Sequence, residues 1–440
     1  MARKMRDSGV EWIGEVPEGW GMYRLKFIAV CFDGKRVPID ASQRRVGPYP
    51  YWGSGSIQDY VDDYIFDEEL VLLGEDGAPF FDKCRDVAFL VRGKIWVNNH
   101  IHVLKAKSRC TNQYLCYALN VVDYSDYVSG SILLKLTQGR MNEIVVPIPP
   151  LPEQQRIADY LDEKCAAIDG AVGELKRGIE DCKAWKKAII FEAVTGKANV
   201  LAASACAKAT ADKKNAKVAK RQMRDSGIPW IGEIPEGWEV KPIKHLTSIL
   251  PGYAFESGDF KNEGIRLLRG INVGVGALRW DEVVYWEGKV PKEIDDYRLN
   301  KGDLIVGLDR PWIADGTRVA FVDEYDLPCL LVQRVCRMRA RSREVEPRIV
   351  FYWLSSEMFQ EAIGCETTGI SVPHISTKQI EEFRIVLPPL SEQLAIADYL
   401  DEKCAAIDAL VAEKEKLIAD LEAYKKALIF ELVTGKREVA

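Results

Sequence analysis

Two stretches of the chain mix basic, amide and hydroxyl side chains with aromatic rings in turn-rich sequence: GKRVPIDASQRRVGPYPYWGSGS at 34–56 and GLDRPWIADGTR at 307–318. Arginine and lysine bond phosphates or fork onto guanine, asparagine and glutamine pair with adenine edges, and serine, glycine and backbone amides permit close approach. In the first stretch these chemistries fall on Lys35, Arg36, Arg44, Arg45, Ser54 and Ser56, with Tyr51 and Trp52 as the rings. In the second they fall on Arg310 and Arg318, with Trp312. Arg269 and Asn272, in IRLLRGINV, belong to the same candidate set. So do two dipeptides at corresponding places, Asn99–His100 and Gln333–Arg334, each able to read a base or to satisfy buried backbone groups. Loops of this kind are ordinarily solvated surface around a buried ring, so no single one is decisive.

Other chemistry is thin. His100 and His102 alternate, which on a strand gives both the same face, but the chain has four histidines and no neighbouring Cys, Asp or Glu completes a ligand set. Packing or polar contact is expected there, and no metal. No GxxxxGK[ST] phosphate loop, HExxH, GxSxG or Asn/Asp-Pro-Pro-aromatic methyltransferase motif occurs, so the chain reads as non-catalytic. Eleven cysteines without CxxC pairing, and an N-terminus MARKMRDSGVEW without an apolar core, read as reduced thiols in a cytoplasmic protein.

The elements that must position these residues repeat. MRDSGVEWIGEVPEGW at 5–20 returns as MRDSGIPWIGEIPEGW at 223–238 with 13 of 16 positions identical. The 47 residues from 151 to 197 return at 390–436 with 31 identical. Between the constant pieces lie 21–150 and 239–389, of 130 and 151 residues, which look largely unrelated. Such a tandem duplication implies two equivalent docking surfaces about a pseudo-two-fold axis, and two different things recognised. Drift alone does not spare one stretch while erasing its neighbour.

The long constant piece reads as a helix. Ile157 to Glu192 contains no proline, and a 4-3 apolar spacing runs through both copies. In the first the seam includes Leu161, Ile168, Val172, Leu175 and Ile179; in the second Leu400, Ile407, Val411, Ile418 and Leu421. Lys186, Lys414 and Lys425 interrupt it. About 40 residues give a rod of roughly 60 Å, and an antiparallel pair places the variable domains at its two ends. Residues 198–222, rich in alanine and lysine, read as a linker.

Both variable stretches mix strand and helix. Strands are expected at 70–74, 86–97 and 101–107 with a helix at 113–122, and at 265–273, 303–308, 318–323 and 329–340 with a helix at 349–363. ELVLLGED at 69–76 parallels DLIVGLDR at 303–310, VNNHIHVLKA parallels LVQRVCRMRA, and SGSILLKLTQGR parallels TGISVPHISTKQ. The expected class is α+β: two α/β domains, with 1–150 and 223–389 as the domain segments, separated by two long antiparallel helices, 151–197 and 390–440, in a coiled coil.

Charge neither proves nor forbids nucleic-acid binding. The net is −6, with 21–150 neutral, 239–389 at −3 and 390–440 at −4. With 47% hydrophobic and 29% charged residues and no apolar run near the roughly 18 needed for a span, secreted, membrane and disulfide-scaffold classes are excluded.

The layout together with EWIGEVPEGW, PIPPLPEQQRIADYLDEK, VLPPLSEQLAIADYLDEK, IFEAVTGK and IFELVTGK resembles the specificity subunit of Type I restriction–modification systems. The GSGSIQDYVDDYIFDEELVLLGEDG run and the NNHIHVL strand look like its target-recognition domains. The resemblance covers essentially the whole chain. It implies double-stranded DNA as ligand, one half of a bipartite site per domain, with the helices as ruler and dock for two methyltransferase subunits and restriction/translocase subunits. No cofactor belongs to this chain on that reading; S-adenosylmethionine, ATP and Mg serve the partners, which methylate adenine N6 after base flipping. Two other classes stay open: a bivalent protein-binding adaptor, which poor sequence-dependent DNA binding with partners present favours, and an enzyme, which activity of the purified chain favours.

Overall fold

The computed structural model describes residues 3–82, 85–130, 133–200, 221–256, 258, 260–313, 316–364 and 373–439. Most of the expected linker, 201–220, lies outside the described residues. The chain divides into two units, residues 1–179 with 412–440 and residues 180–411.

In the first unit a hairpin of β1 (Met5–Asp7) and β2 (Glu15–Pro17) leads to β3 (Gly21–Arg24), the single turn α1 (Leu25–Ile28) and β4 (Ala29–Cys31). Then come β5 (Val46–Trp52), β6 (Ile57–Val61), β7 (Phe66–Asp67), β8 (Leu70–Gly74), β9 (Ala88–Val91), β10 (Lys94–Val97) and β11 (Ile101–Ala106). They are followed by α2 (Asn112–Asn120), α3 (Gln138–Glu143), β12 (Val145–Ile148) and the long α4 (Leu151–Val194). One antiparallel sheet has the order β4-β11-β8-β9; a second, β6-β5-β10-β7, contains the parallel pair β5–β10; β3 pairs with β12.

The second unit begins with the hairpin β13 (Met223–Asp225) and β14 (Glu233–Pro235), then β15 (Glu239–Pro242) and β16 (Thr247–Pro251). There follow β17 (Ile265–Leu268), β18 (Tyr285–Trp286), β19 (Leu304–Gly307), β20 (Trp312–Ile313), β21 (Gly316–Thr317), β22 (Val319–Phe321), β23 (Cys329–Leu331) and β24 (Val335–Ala340). The unit closes with α5 (Pro347–Leu354), α6 (Glu357–Gly364), α7 (Thr377–Glu382), β25 (Arg384–Leu387) and part of α8 (Leu390–Val433). Its sheets follow those of the first unit, apart from β7, which has no counterpart among the described residues, and the added pair β20–β21. β16-β24-β19-β22 repeats β4-β11-β8-β9, β18-β17-β23 repeats β6-β5-β10 with its parallel pair, and β15–β25 repeats β3–β12. One mixed α/β topology therefore underlies both diverged stretches. Its centre is an apolar run, LVLLG in β8 and LIVG in β19, buried at every position because packing covers both faces.

Some expected elements divide. The 86–97 run breaks at Gly93, whose φ of 79° turns the chain between β9 and β10, and 329–340 breaks between β23 and β24. The helix expected at 349–363 stops at Ser355 and restarts as α6. The loop-like 34–56 stretch contains β5, whose pairing with β6 and β10 was invisible in a run carrying Gly47, Pro48 and Pro50.

The residues shared by the repeats do the same work in each unit. Buried Gln154 donates to Pro149 and Arg109 carbonyls, both at 2.8 Å, and accepts from Thr111 N at 3.0 Å. Buried Gln393 donates to Pro388 at 2.8 Å and Glu344 at 3.0 Å, and accepts from Glu346 N at 2.8 Å. Each amide ties the first turn of a long helix to the N-terminus of the helix packed beside it, α2 or α5. One residue earlier, Glu153 binds Arg3 and the Trp20 indole, and Glu392 binds Arg221 and the Trp238 indole. The helix ends are fixed as well. Gly435 (φ 72°) sits where a Cβ would lie 2.5 Å from Pro17, and Gly196 (φ 74°) where one would lie 2.5 Å from Pro235. The VTGK and PEGW strings persist together because each left-handed glycine caps its helix and admits the proline and tryptophan of the hairpin.

Within the first unit, α4 and α8 run antiparallel: Asp169 meets Lys425 at 2.7 Å and Lys176 meets Glu422 at 3.6 Å. In the second unit Lys186 meets Asp408 at 2.6 Å. Two of the lysines that interrupt the apolar seam therefore reach a carboxylate on the other helix, in reciprocal pairs. Leu161, Ile168, Val172, Ile179, Leu400 and Ile407 are buried, and Leu175, Val411, Ile418 and Leu421 half-buried.

Candidate nucleic-acid interface

In the first unit, the ends of β5, β8 and β10 and the turn before β11 gather into one loop cluster. Asn98 N donates to the Trp52 carbonyl at 3.1 Å, Glu75 N to that of His100 at 3.1 Å, and Leu136 N to that of Glu75 at 2.8 Å. The second unit gathers the corresponding loops: Val332 N donates to Leu268 at 3.0 Å, Leu308 N to Arg334 at 2.9 Å, and Ile375 N to Leu308 at 2.9 Å.

Six sequence candidates are exposed at these ends or in the loops beside them: Lys35, Ser56, Asn99, His100, Arg310 and Arg334. Arg45 is exposed too, but at the opposite end of β5, where its carbonyl accepts from Asp62 N. Others are tied to the fold. Arg36 is half-buried, bonding Glu75 at 2.5 Å and the Ile101 carbonyl at 3.0 Å. Arg44 lies over the Tyr51 ring at 4.2 Å and donates to the Ile39 carbonyl. Trp52 packs on Phe89 with ring centroids 5.4 Å apart, and Ser54 and Trp312 are half-buried. Arg269 donates to Glu282, Arg318 to Val273 and Asp309, and Gln333 accepts from Phe255 N at 3.1 Å. Two candidates are corrected outright. Tyr51 is 1% exposed, its hydroxyl accepting from Ile39 N, and Asn272 is 1% exposed, its amide donating to Arg279 and Glu282. Their polar atoms are spent inside the fold, so neither side chain can meet a ligand.

The two histidines also separate. His100 lies in the turn before β11 and is half exposed, whereas His102 on β11 is fully buried. Contrary to the sequence reading, tertiary structure brings Cys31, Asp33 and His102 together, with ligand atoms within 4.8 Å of one another. His102 Nε2 donates to the Leu136 carbonyl at 2.8 Å, so the 2.5 Å contact of Nδ1 with Asp33 is bridged by a proton. Burial acts to raise the Asp33 carboxyl, but the hydrogen bond and charge of His102 and the Val103 N–H outweigh it and hold it below the ordinary range. Burial pushes the Cys31 thiol up to about 11, leaving it protonated at neutral pH. The cluster is a closed polar network that props the loop ends.

Sequence reasoning missed a matched pair of contacts above that network. Asp76 is held by His100 at 3.1 Å and Lys135 at 3.0 Å; Asp309 is held by Arg334 at 3.0 Å and His374 at 2.6 Å. The backbones of the two aspartates also form the same isolated antiparallel bridge, Asp76 to Lys135 and Asp309 to His374. The alignment of SGSILLKL with TGISVPHI already placed Lys135 opposite His374. The carboxylates were obscured by a one-residue slip: Gly74 and Gly307 pair with Ile101 and Val335, which makes Asp76, rather than Glu75, the equivalent of Asp309.

Residues 17–170 and 235–420 match the family model described as the type I restriction modification DNA specificity domain. The chain belongs to that family. This specificity chain is 26% identical over 430 residues to the MjaVIII specificity subunit of Methanocaldococcus jannaschii, covering 96% of the chain and 94% of the relative. It is 38% identical over 170 residues to the EcoAI specificity subunit of Escherichia coli, covering 39% of the chain and 29% of the relative. A solved structure reported under complex assembly and conformational transition of the type I R-M system shares its fold, with a TM-score of 0.63, 16% identity, and coverage of 96% of this chain and 99% of that one. Specificity chains carry DNA-recognition domains and are themselves non-catalytic. Among the described residues no helix is long and apolar enough to cross a membrane.

Proposed function

We propose that each unit's variable domain reads one half of a bipartite DNA site, while the paired helices dock two methyltransferase subunits and set the half-site spacing. The organisation proposed is 1–150 and 223–389 for the recognition segments, 151–197 and 390–440 for the helical scaffold, and 198–222 for the link. One observation carries the reading: two domains of a single topology are held by the same Gln, Glu and Gly devices, yet differ in nearly every side chain at the loop ends. Constant frames suit identical partners; divergent loops suit different half-sites. S-adenosylmethionine, ATP and Mg belong on this reading to the methyltransferase and translocase partners, in the cytoplasm. Neutral to acidic recognition segments fit a chain whose non-specific affinity comes from partner surfaces.

The test is modified-base sequencing of DNA from cells co-expressing the chain with its methyltransferase partner, with and without this gene. A gene-dependent N6-methyladenine motif split by a fixed spacer is expected, and exchanging residues 21–150 should change one half only. An assembled complex yielding no such motif refutes the reading.

A further inference from the structure

We propose that His100 and Arg334 are the equivalent base-reading residues of the two domains, each aimed by the carboxylate that grips it; this rests on the DNA-reading role above. Equivalence comes from the backbone. Each precedes the first residues of the corresponding strand, β11 or β24, and each carbonyl accepts the residue following the central strand, Glu75 N or Leu308 N. Both side chains are open to solvent, His100 by 50% and Arg334 by 72%. Neither is free to swing, because Asp76 and Asp309 are themselves anchored from a third segment by Lys135 and His374. Exposed yet aimed is what base readout requires, since an ordered polar group loses little entropy on binding.

The side chains suit the task differently. Arg334 gives Nη1 to Asp309 and keeps the rest of its guanidinium for a guanine O6/N7 edge. His100 Nδ1 donates to Asp76, which Lys135 and His100 keep ionised against the upward pull of burial, leaving Nε2 for a single base atom. Backbone geometry in the second domain points the same way. Arg310 (φ 44°) and Arg334 (φ 70°) are left-handed, a conformation unfavourable for any residue with a Cβ. Arg310 N donates to the Pro373 carbonyl as Gly77 N donates to that of Leu134, so the first domain meets the same turn with a glycine at φ 67°. The fold alone therefore asks for glycine there. Two strained arginines flank Asp309 because of their side chains.

The experiment uses the assembled methyltransferase complex and compares methylation rates on duplexes carrying each single base-pair change. Arg334→Lys keeps the charge without the fork, and Arg334→Gly relaxes the backbone, so folding is not at issue; His100→Ala tests the other domain. Expected is a ten- to hundred-fold loss of discrimination at one base pair, in opposite halves of the site for the two positions, with unchanged unfolding midpoints. A uniform loss on every duplex, restored by Arg334→Lys, makes these phosphate contacts and overturns the proposal. So does unaltered discrimination. A wild-type complex without sequence preference overturns the DNA-reading role itself, and the proposal with it.

Discussion

Replacing Gln393 by alanine removes an amide that makes three hydrogen bonds to backbone groups while 1% exposed. Three partners lose their bond at once: Glu346 N and the Glu344 and Pro388 carbonyls. A buried unsatisfied group costs about 1–3 kcal/mol. Three together, reduced by local relaxation and entry of water into the vacated volume, give about 3–5 kcal/mol, a large part of the roughly 5–15 kcal/mol typical of a folded protein. Gln393→Glu should do no better at neutral pH, because it turns a carboxylate onto two carbonyl oxygens. Urea unfolding followed by tryptophan fluorescence gives the magnitude, and hydrogen exchange gives the place. Gln393→Ala should release the amides of Glu346 and the start of α5 but leave Thr111 protected; Gln154→Ala should do the converse. A loss under 1 kcal/mol, or equal deprotection of both sites by either variant, refutes the view that each glutamine knits its own unit.

Lys186 and Lys425 occupy an otherwise apolar seam but bond half-exposed or exposed carboxylates, pairs worth under about 1 kcal/mol. Lys186→Leu with Lys425→Leu should therefore leave the thermal midpoint unchanged or raised; a drop of several degrees would assign the lysines a real stabilising role. The Asp33 carboxyl lies below its ordinary range in the fold, so its contribution is complete above the unfolded carboxylate pKa of about 4 and disappears as pH falls through the lower, folded value. Unfolding free energy should decline below pH 5, and Asp33→Asn should flatten that decline; equal slopes would remove Asp33 from the account. Burial pushes the thiols of Cys110, Cys329 and Cys336 up to about 12. At pH 8 iodoacetamide should leave those peptides unmodified in the native protein and label them in urea, and rapid native labelling would contradict their burial.

The candidate site was legible in part. Basic residues in turn-rich sequence fall on loops that the fold gathers at one end of each domain, and six of the named side chains are exposed there. Composition could not separate an arginine facing solvent from Arg318, which folds back onto the Val273 and Asp309 carbonyls, nor a surface asparagine from Asn272, which closes a buried turn. The same side-chain chemistry serves either use, and only the neighbours decide.

The sequence by itself determined the architecture that is periodic or repeated: the duplication, the long helices, the seam and its interrupting lysines, and the apolar runs of the central strands. Those features are local, because a 4-3 spacing or a buried strand is written in consecutive residues. Tertiary structure alone decided what depends on residues far apart. It placed Cys31 and Asp33 against His102, made Asp76 rather than Glu75 the counterpart of Asp309 in the other unit's topology, and joined Lys135 to the one carboxylate and His374 to the other. A one-residue change of register turns each side chain to the opposite face of its strand, and that choice is made by packing on both sides of the sheet.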